Sequence, residues 1–186
     1  SPLMGEGWGR GWIADCPLTL PLSHEGRGNL LRYTLPITNH GFLKGTIMLN
    51  AYIYEGLRTP IGRYAGALAK VRPDDLLAGA IKAVMAKSAF KAEQIEDIVV
   101  GCANQAGEDS RCVARHAGLV AGLPIEIPGT VLQRNCASSL GALAHAAHAV
   151  TAGEGEWFMV GGVESMSRAP FVLGKNEAPF GREGRM

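Results

Sequence analysis

The chain has 186 residues, of which 47% are hydrophobic and 19% are charged, and its formal net charge at pH 7 is +1. This length suits one domain with a sizeable core, and the near-neutral charge without basic or acidic blocks excludes a typical nucleic-acid-binding protein. No apolar run approaches the length of about 20 residues that a membrane span needs, so we expect neither a nucleic acid nor a membrane as a partner.

Residues 1–47 differ in composition from the rest of the chain. Gly and Pro cluster there, and the hydrophobic residues follow neither a helical nor a strand period. Prolines and acidic residues interrupt the segment, which fits neither a signal peptide nor a transit peptide. We predict that residues 1–47 are a non-native or disordered upstream extension and that the natural chain begins at Met48. A domain is then expected over residues 48–171, followed by the start of a truncated loop region at residues 172–186.

After Met48, segments with the composition of strands alternate with segments of helical period. The clearest helix begins at Pro73, which suits the first helical position, and Asp74 and Asp75 complement the positive end of its dipole. Strands are predicted at residues 49–56, 95–103, 129–135 and 156–162, and helices at residues 73–88, 110–124 and 137–153.

This alternation predicts an α/β fold with a mainly parallel sheet that helices cover on both faces, because parallel neighbours need a crossover connection. The helix predicted at residues 137–153 is rich in Ala, Leu, His and Gly. Side chains that are so small and so rarely charged predict a helix that is buried on most sides.

The four cysteines lack the spacing of a metal site or of a CxxC pair. They are Cys16, Cys102, Cys112 and Cys136. Without a disulfide pattern, a reducing compartment is the better expectation, and we predict a cytoplasmic protein. Cys102, at a strand end, and Cys112, within a helix, are interpreted as structural.

Cys136 lies where the third predicted strand passes into the third predicted helix. In open α/β sheets, functional sites form outside the carboxyl ends of strands. The N–H groups at a helix start favour a thiolate and stabilise an oxyanion on an attacked carbonyl, and Ser138 and Ser139 suit a first helical turn. Free cysteines also often fill space in a core, so position alone leaves both a nucleophile and a core residue open.

A nucleophilic cysteine needs a base, and none is evident among the histidines. His145 lies nine residues along the predicted helix from Cys136, which corresponds to about 13 Å. His145 and His148 are spaced to share a metal ion, but no third ligand lies nearby, so no metal site is predicted. His116 lies within a helix and has no identifiable partner.

Four stretches resemble the thiolase family, the acyl-CoA acetyltransferases, and they occur in the family's order. They are EGLRTPIGRYAGAL (55–68), GCANQAGEDSRCVARHAGLVAGLP (101–124), VLQRNCASSLGAL (131–143) and GGVESMSRAPFVLGK (161–175). The third stretch resembles the family's nucleophile segment, which implies that Cys136 forms the acyl-thioester intermediate.

The resemblance implies a body of two similar halves with five layers, α-β-α-β-α, of which this chain carries the first half. It also implies a reaction in two stages: the cysteine takes an acyl group from a 3-oxoacyl-CoA and releases acetyl-CoA, and CoA then accepts the acyl group. CoA thioesters are thus the expected substrates, no cofactor or metal is expected, and the full-length family implies a homo-oligomer.

Parts of the family's machinery are absent from this sequence. The histidine that activates the nucleophile, the second cysteine that moves a proton and an oxyanion-site asparagine all belong to motifs of the second half. We therefore predict that this chain alone is inactive. GCANQAGEDSR and RAPFVLGK resemble the β-ketoadipyl-CoA thiolases of aromatic-compound degradation, whereas QRNCASSL resembles other degradative thiolases, so acyl preference stays open.

Two further interpretations stay open. A ketoacyl-synthase-type condensing enzyme shares the fold and a cysteine before a buried helix, although the 55–68 and 161–175 stretches favour a thiolase. A non-catalytic remnant that only associates with another subunit is the other, because half of a two-half body exposes apolar helix faces. A cysteine hydrolase needs a nearby His and an orienting Asp or Asn, which we cannot place.

Overall fold

A computed structural model describes residues 20–23, 49–104, 107, 112–175 and 184–185. The sheet consists of β1 (Leu20–Ser23), β2 (Tyr52–Ile53), β3 (Asp97–Gly101), β4 (Gly129–Leu132) and β5 (Phe158–Gly162). The helices are α1 (Pro73–Lys87), a 3₁₀-helix (Ala92–Gln94), α2 (Val113–Ala121) and α3 (Ser138–Ala152). Two short strands, β6 (Gly174–Lys175) and β7 (Gly184–Arg185), pair separately. No helix in these ranges is both long and apolar enough to cross a membrane.

The strands of the main sheet follow the order β2-β1-β5-β3-β4. Strand β3 pairs in parallel with β4 and with β5, whereas β1 is antiparallel to both of its neighbours. The prediction of an α/β fold with a mainly parallel sheet is confirmed. The register places Gly101 opposite Gly162 at the carboxyl ends of β3 and β5.

Helix α1 begins as its sequence predicts, with Pro73 in the first turn. The buried Asp74 carboxylate accepts two hydrogen bonds from Arg72, at 3.0 and 2.8 Å, and one from the Asp75 N–H at 3.1 Å. The hydrogen bond from Arg72 outweighs burial and holds the pKa of Asp74 below its ordinary value. The positive end of α1 is thus occupied by a carboxylate of its own chain.

Side chains alternate between the two faces of the sheet. From β3, Ile98 and Val100 join the core beneath α1 and α2, whereas Val99 joins the core beneath α3. The first core contains large side chains from both helices, among them Leu77, Ile81, Val84 and Val113. Helices therefore cover both faces of the sheet, as the sequence predicts.

Helix α3 packs on its face of the sheet through small side chains. Its buried residues pack on Val99, Phe158 and Val160, and they include Ala142, Ala146, Ala149 and Val150. The prediction that this helix is buried on most sides is wrong for the described chain, because its outer face is open. Leu140 is 62% exposed, and His145 and His148 are also exposed. The sheet contacts only one side of α3, so the opposite side of the helix is exposed.

Several element boundaries differ from those predicted. The first strand after Met48 is limited to Tyr52–Ile53. Strand β4 ends at Leu132 because the chain turns at Asn135, whose φ is +51°. Helix α2 ends before Gly122, which has a φ of +84° and therefore stops the helix as predicted.

Strand β1 lies within residues 1–47, which the sequence predicts to be an extension. Pro21, which has no N–H donor, and the absence of a strand period give no signal for a strand there. The rest of that segment lies outside the described residues, so its non-native origin stays a prediction. Within residues 172–186, where a loop is predicted, β6 pairs with β7 in antiparallel orientation.

Candidate active site

Cys136 lies in the turn that joins β4 to α3, one residue before Ala137, which caps the N-terminus of the helix. Its thiol is exposed, whereas Cys102 is buried and Cys112 is partly buried. The interpretation of Cys136 as a space-filling core residue is therefore wrong. An exposed thiol at a strand-to-helix turn is placed to meet a ligand.

The backbone of this turn is tightly defined. Asn135 has a positive φ of +51°, a conformation that Asn tolerates better than most residues. The N–H of Ala137 donates to the carbonyl of Arg134 at 3.0 Å, and the N–H of Ser138 donates to that of Asn135 at 3.1 Å. Cys136 therefore stands at the outside of a closed turn.

Ser138 locks the same turn from within. Its hydroxyl accepts a hydrogen bond from the N–H of Arg134 at 2.9 Å and donates one to the carbonyl of Asn135 at 2.6 Å. The residue is only 4% exposed, so these bonds are shielded from water. The turn that carries Cys136 thus has little freedom to change shape.

Two glycines let the first turn of α3 lie directly on the sheet. A Cβ atom on Gly101 would stand 2.2 Å from the backbone nitrogen of Ser139, and one on Gly162 would stand 1.8 Å from Ser139 Oγ. Because these residues are neighbours in β3 and β5, they form one surface, the glycine ledge (Gly101 and Gly162). A side chain at either position would displace the helix start.

Glu164 joins the segments that leave β3 and β5. Its Oε2 accepts a hydrogen bond from the N–H of Ala103 at 2.9 Å, and its Oε1 accepts one from the N–H of Asn104 at 3.1 Å. The N–H of Val163 donates to the carbonyl of Gly101 at 3.1 Å. The two strand exits are therefore tied together beside the glycine ledge.

The start of α3 carries no carboxylate of its own. Its first turn contains no acidic residue, so none of its own side chains offsets the positive end of the helix dipole. The N–H groups of Ala137 and Ser138 are bonded within the turn. Within the described ranges the N–H of Cys136 forms no such hydrogen bond.

The histidines lie apart from this turn. His145 and His148 are exposed on α3, and His116 is partly buried in α2. In the part of the chain that the structure describes, none of them forms a hydrogen bond with Cys136. The same residues include no group of three or more His, Cys, Asp or Glu side chains that could hold a metal ion.

The other two described cysteines bond to backbone carbonyls. The thiol of Cys102 donates to the carbonyl of Asn104 at 3.2 Å, and that of Cys112 donates to the carbonyl of Gly129 at 3.0 Å. Cys102 follows β3, and Cys112 precedes α2 as its N-cap residue, so the prediction that Cys112 lies within a helix is wrong.

An open cavity of about 370 Å³ lies at the other end of the sheet, beside the residues that precede β3 and β4. It is lined by Glu93, Ile95, Glu96, Pro124, Glu126 and Ile127. Cys136 follows the carboxyl end of β4, so this cavity is separate from the candidate site.

The sequence pointed to Cys136 and to Ser138, but it did not reveal the supporting residues. Gly101, Gly162 and Glu164 come together only through the pairing of β3 with β5. Glycines at the ends of two predicted strands were the available signal, because a strand interior disfavours Gly unless another backbone approaches closely.

Comparison with known proteins identifies the family of this chain. The family described as Thiolase, N-terminal domain matches residues 51–182. The β-ketoadipyl-CoA thiolase of Acinetobacter baylyi is 54% identical over 136 residues, which cover 73% of this chain and 34% of that protein. The 3-oxoadipyl-CoA/3-oxo-5,6-dehydrosuberyl-CoA thiolase of Escherichia coli (strain K12) is 53% identical and covers 75% and 35%, respectively.

A solved structure gives the same result at lower identity. The Bacillus anthracis acetyl-CoA acetyltransferase superposes with a TM-score of 0.61 at 30% identity, over 68% of this chain and 33% of that one. The chain thus spans about a third of the length of the relatives it matches. On the family match, which covers most of its residues, this chain belongs to the thiolase family and carries the family's N-terminal domain.

Proposed function

We propose that this chain contributes the nucleophilic half of a thiolase that performs thiolytic acyl transfer, with Cys136 as the acylated residue. The observation that carries the proposal is an exposed thiol beside the N-terminus of a helix whose first turn contains no acidic residue. The names of the most similar relatives favour a 3-oxoadipyl-CoA-type substrate. CoA then acts as a substrate, and neither a resident cofactor nor a metal takes part.

In the first step, the Cys136 thiolate attacks the 3-oxo carbon of a 3-oxoacyl-CoA. The bond between carbons 2 and 3 breaks, the acyl group remains on sulfur, and carbon 2 takes up a proton to give acetyl-CoA. In the second step, the thiol of CoA attacks the acyl-cysteine, the new thioester leaves, and the Cys136 thiol is restored. Covalent catalysis thus divides a carbon–carbon cleavage into two thioester steps.

The described residues supply positioning and charge stabilisation for these steps. The closed turn from Arg134 to Ser138 fixes the sulfur, and the Cys136 N–H is a donor for the oxygen that gains negative charge in the tetrahedral species. The positive end of α3 favours that oxyanion.

The proton transfers need groups that the described residues do not place at Cys136. The matched part covers 34% and 35% of the two relatives, so most of each relative lies outside it. We propose that the activating histidine and the proton-moving cysteine come from such a second half. This chain alone is then inactive in thiolysis, whereas the full-length assembly forms a homo-oligomer. The open outer face of α3, where Leu140 is 62% exposed, is compatible with a covering second half.

Acetylation by acetyl-CoA tests the assignment directly. The purified chain and the variants Cys136→Ala and Cys112→Ala are incubated with acetyl-CoA, and the adduct is located by peptide mass spectrometry. We expect an acetyl group on Cys136 in the natural chain and in Cys112→Ala, and none in Cys136→Ala. An adduct that is confined to another residue, or no adduct on a chain that circular dichroism shows to be folded, contradicts the proposal for this chain.

A further inference from the structure

We infer that Glu164 is a positioning residue that holds the Cys136 turn in its reactive geometry by tying the exit of β5 to the exit of β3. This inference deepens the proposed function and rests on it, since the residue to be positioned is the proposed nucleophile. Glu164 follows β5 by two residues and lies 61 positions from Ala103, so its contacts join distant segments.

Both oxygens of the Glu164 carboxylate accept a hydrogen bond. The donors are the backbone N–H of Ala103 at 2.9 Å and that of Asn104 at 3.1 Å. A carboxylate has acceptor oxygens on both arms, whereas an amide presents one oxygen and one donor group. The geometry therefore selects a carboxylate rather than a generic polar side chain.

The tied segment leads directly to the glycine ledge. The N–H of Cys102, next to Ala103, donates to the carbonyl of Leu132 at 3.2 Å, which fixes the exit of β3 against the end of β4. Gly101 precedes Cys102, and the carbonyl of Gly101 accepts a hydrogen bond from the N–H of Val163 at 3.1 Å. Glu164 thus closes a loop of contacts that spans the ends of β5, β3 and β4.

The packing contact at the glycine ledge couples the position of β3 to that of α3. A single methyl group on Gly101 would stand 2.2 Å from the Ser139 nitrogen and 2.3 Å from the Ser138 carbonyl carbon, so the two backbones are in direct contact. A packed contact of this kind does not absorb a shift. Movement of the carboxyl end of β3 therefore moves the first turn of α3 and the hydrogen bonds of Ser138, and Cys136 moves with them.

A residue that only stabilises the fold behaves differently from one that positions the thiol. The first kind lowers the free energy of unfolding when it is changed, but it does not slow the reaction of the exposed Cys136 in the folded fraction. The second kind slows acyl transfer to Cys136 within the folded fraction. Comparison of the acetylation rate with the free energy of unfolding separates the two roles.

The experiment compares the natural chain with Glu164→Gln, Glu164→Asp and the matched control Glu93→Gln, which changes an exposed glutamate on the 3₁₀-helix. Acetylation of Cys136 by acetyl-CoA and its alkylation by iodoacetamide are followed by peptide mass spectrometry, and urea denaturation measures the free energy of unfolding. For Glu164→Gln we expect acetylation of Cys136 in the folded fraction to slow by about tenfold, because small misplacements of a reacting group have large effects on rate. The control is expected to match the natural chain.

Glu164→Asp keeps the charge but is one methylene shorter, so it is expected to fall between the natural chain and Glu164→Gln. Unchanged acetylation in folded Glu164→Gln overturns the inference. So does a lower free energy of unfolding in both Glu164 variants without slower acetylation of their folded fraction, because that pattern describes a residue that only stabilises the fold. If the natural chain takes no acetyl group, the proposed function fails separately, and the alkylation rate of Cys136 in the same variants then decides on Glu164.

Discussion

The helices on the two faces of the sheet pack with side chains of different size. Beneath α1 and α2, large buried side chains such as Leu77, Ile81 and Met159 separate helices from strands. Beneath α3, the helix packs mainly with alanines on Val99, Phe158 and Val160, and at the glycine ledge the helix backbone contacts the strands directly. The larger side chains of the first face bury more apolar area, which stabilises the fold. The second face buries less apolar area but brings a helix N-terminus to the carboxyl edge of the sheet.

The difference extends to the two helix starts. Helix α1 begins with a buried carboxylate that pairs with Arg72, whereas the first turn of α3 contains no acid and carries an exposed thiol just before it. A carboxylate within the helix thus offsets the dipole of α1, whereas α3 has no such carboxylate in its first turn. The comparison separates a structural face from a face on which the proposed chemistry depends.

The largest expected effect is on the structural face. Ile81→Ala removes a side chain that is 0% exposed from the core beneath α1 and α2, so we expect the free energy of unfolding to fall by about 2–5 kcal/mol. The matched control is Leu140→Ala on α3, where the side chain is 62% exposed and little change is expected. Urea denaturation followed by circular dichroism measures both. Equal losses for the two variants contradict the contrast between the faces.

A glycine substitution tests the ledge. Gly101→Ala places a Cβ atom 2.2 Å from the Ser139 nitrogen, so we expect a loss of about 1–3 kcal/mol in unfolding free energy and slower acetylation of Cys136. Gly79→Ala is the control, since nothing lies within 4 Å of the added atom in an exposed helix position. That variant is expected to gain about 0.5–1 kcal/mol. Normal acetylation of a stable Gly101→Ala protein contradicts a role for the ledge.

The start of α1 gives the smallest effect and depends on pH. The pKa of Asp74 is lowered in the folded chain, so its contribution is present above the ordinary value of about 3.9 and disappears as the pH falls through the lower folded value. Asp74→Asn is therefore expected to be less stable than the natural chain by about 1–2 kcal/mol at neutral pH. The difference shrinks on acidification.

Chemical denaturation of both proteins across acidic and neutral pH measures this difference. Asp75→Asn is the control, since Asp75 is exposed in the same helical turn and is expected to have a smaller effect. A difference between Asp74→Asn and the natural chain that stays constant from neutral pH down to the most acidic pH at which both proteins fold contradicts the role of the Asp74 carboxylate.

Much of the fold followed from local patterns. Helical periods, Pro73 and Gly122 located α1 and the end of α2, because such signals act within a few residues of the chain. The strands were found but were predicted too long, since propensity does not show where hydrogen-bonded pairing stops. Strand β1 was missed, because its pairing with β2 and β5 is nonlocal and Pro21 argued against it.

The sequence by itself determined the α/β class, the strand-to-helix turn at Cys136 and the resemblance of its segment to a thiolase nucleophile, because each depends on neighbouring residues. Only the tertiary structure decided that the thiol is exposed, that Gly101 and Gly162 lie against the first turn of α3, and that Glu164 joins the segments after β3 and β5. These residues are far apart in sequence and meet because parallel strands bring their carboxyl ends to one edge. No local pattern encodes that meeting; the crossover connections of the sheet create it.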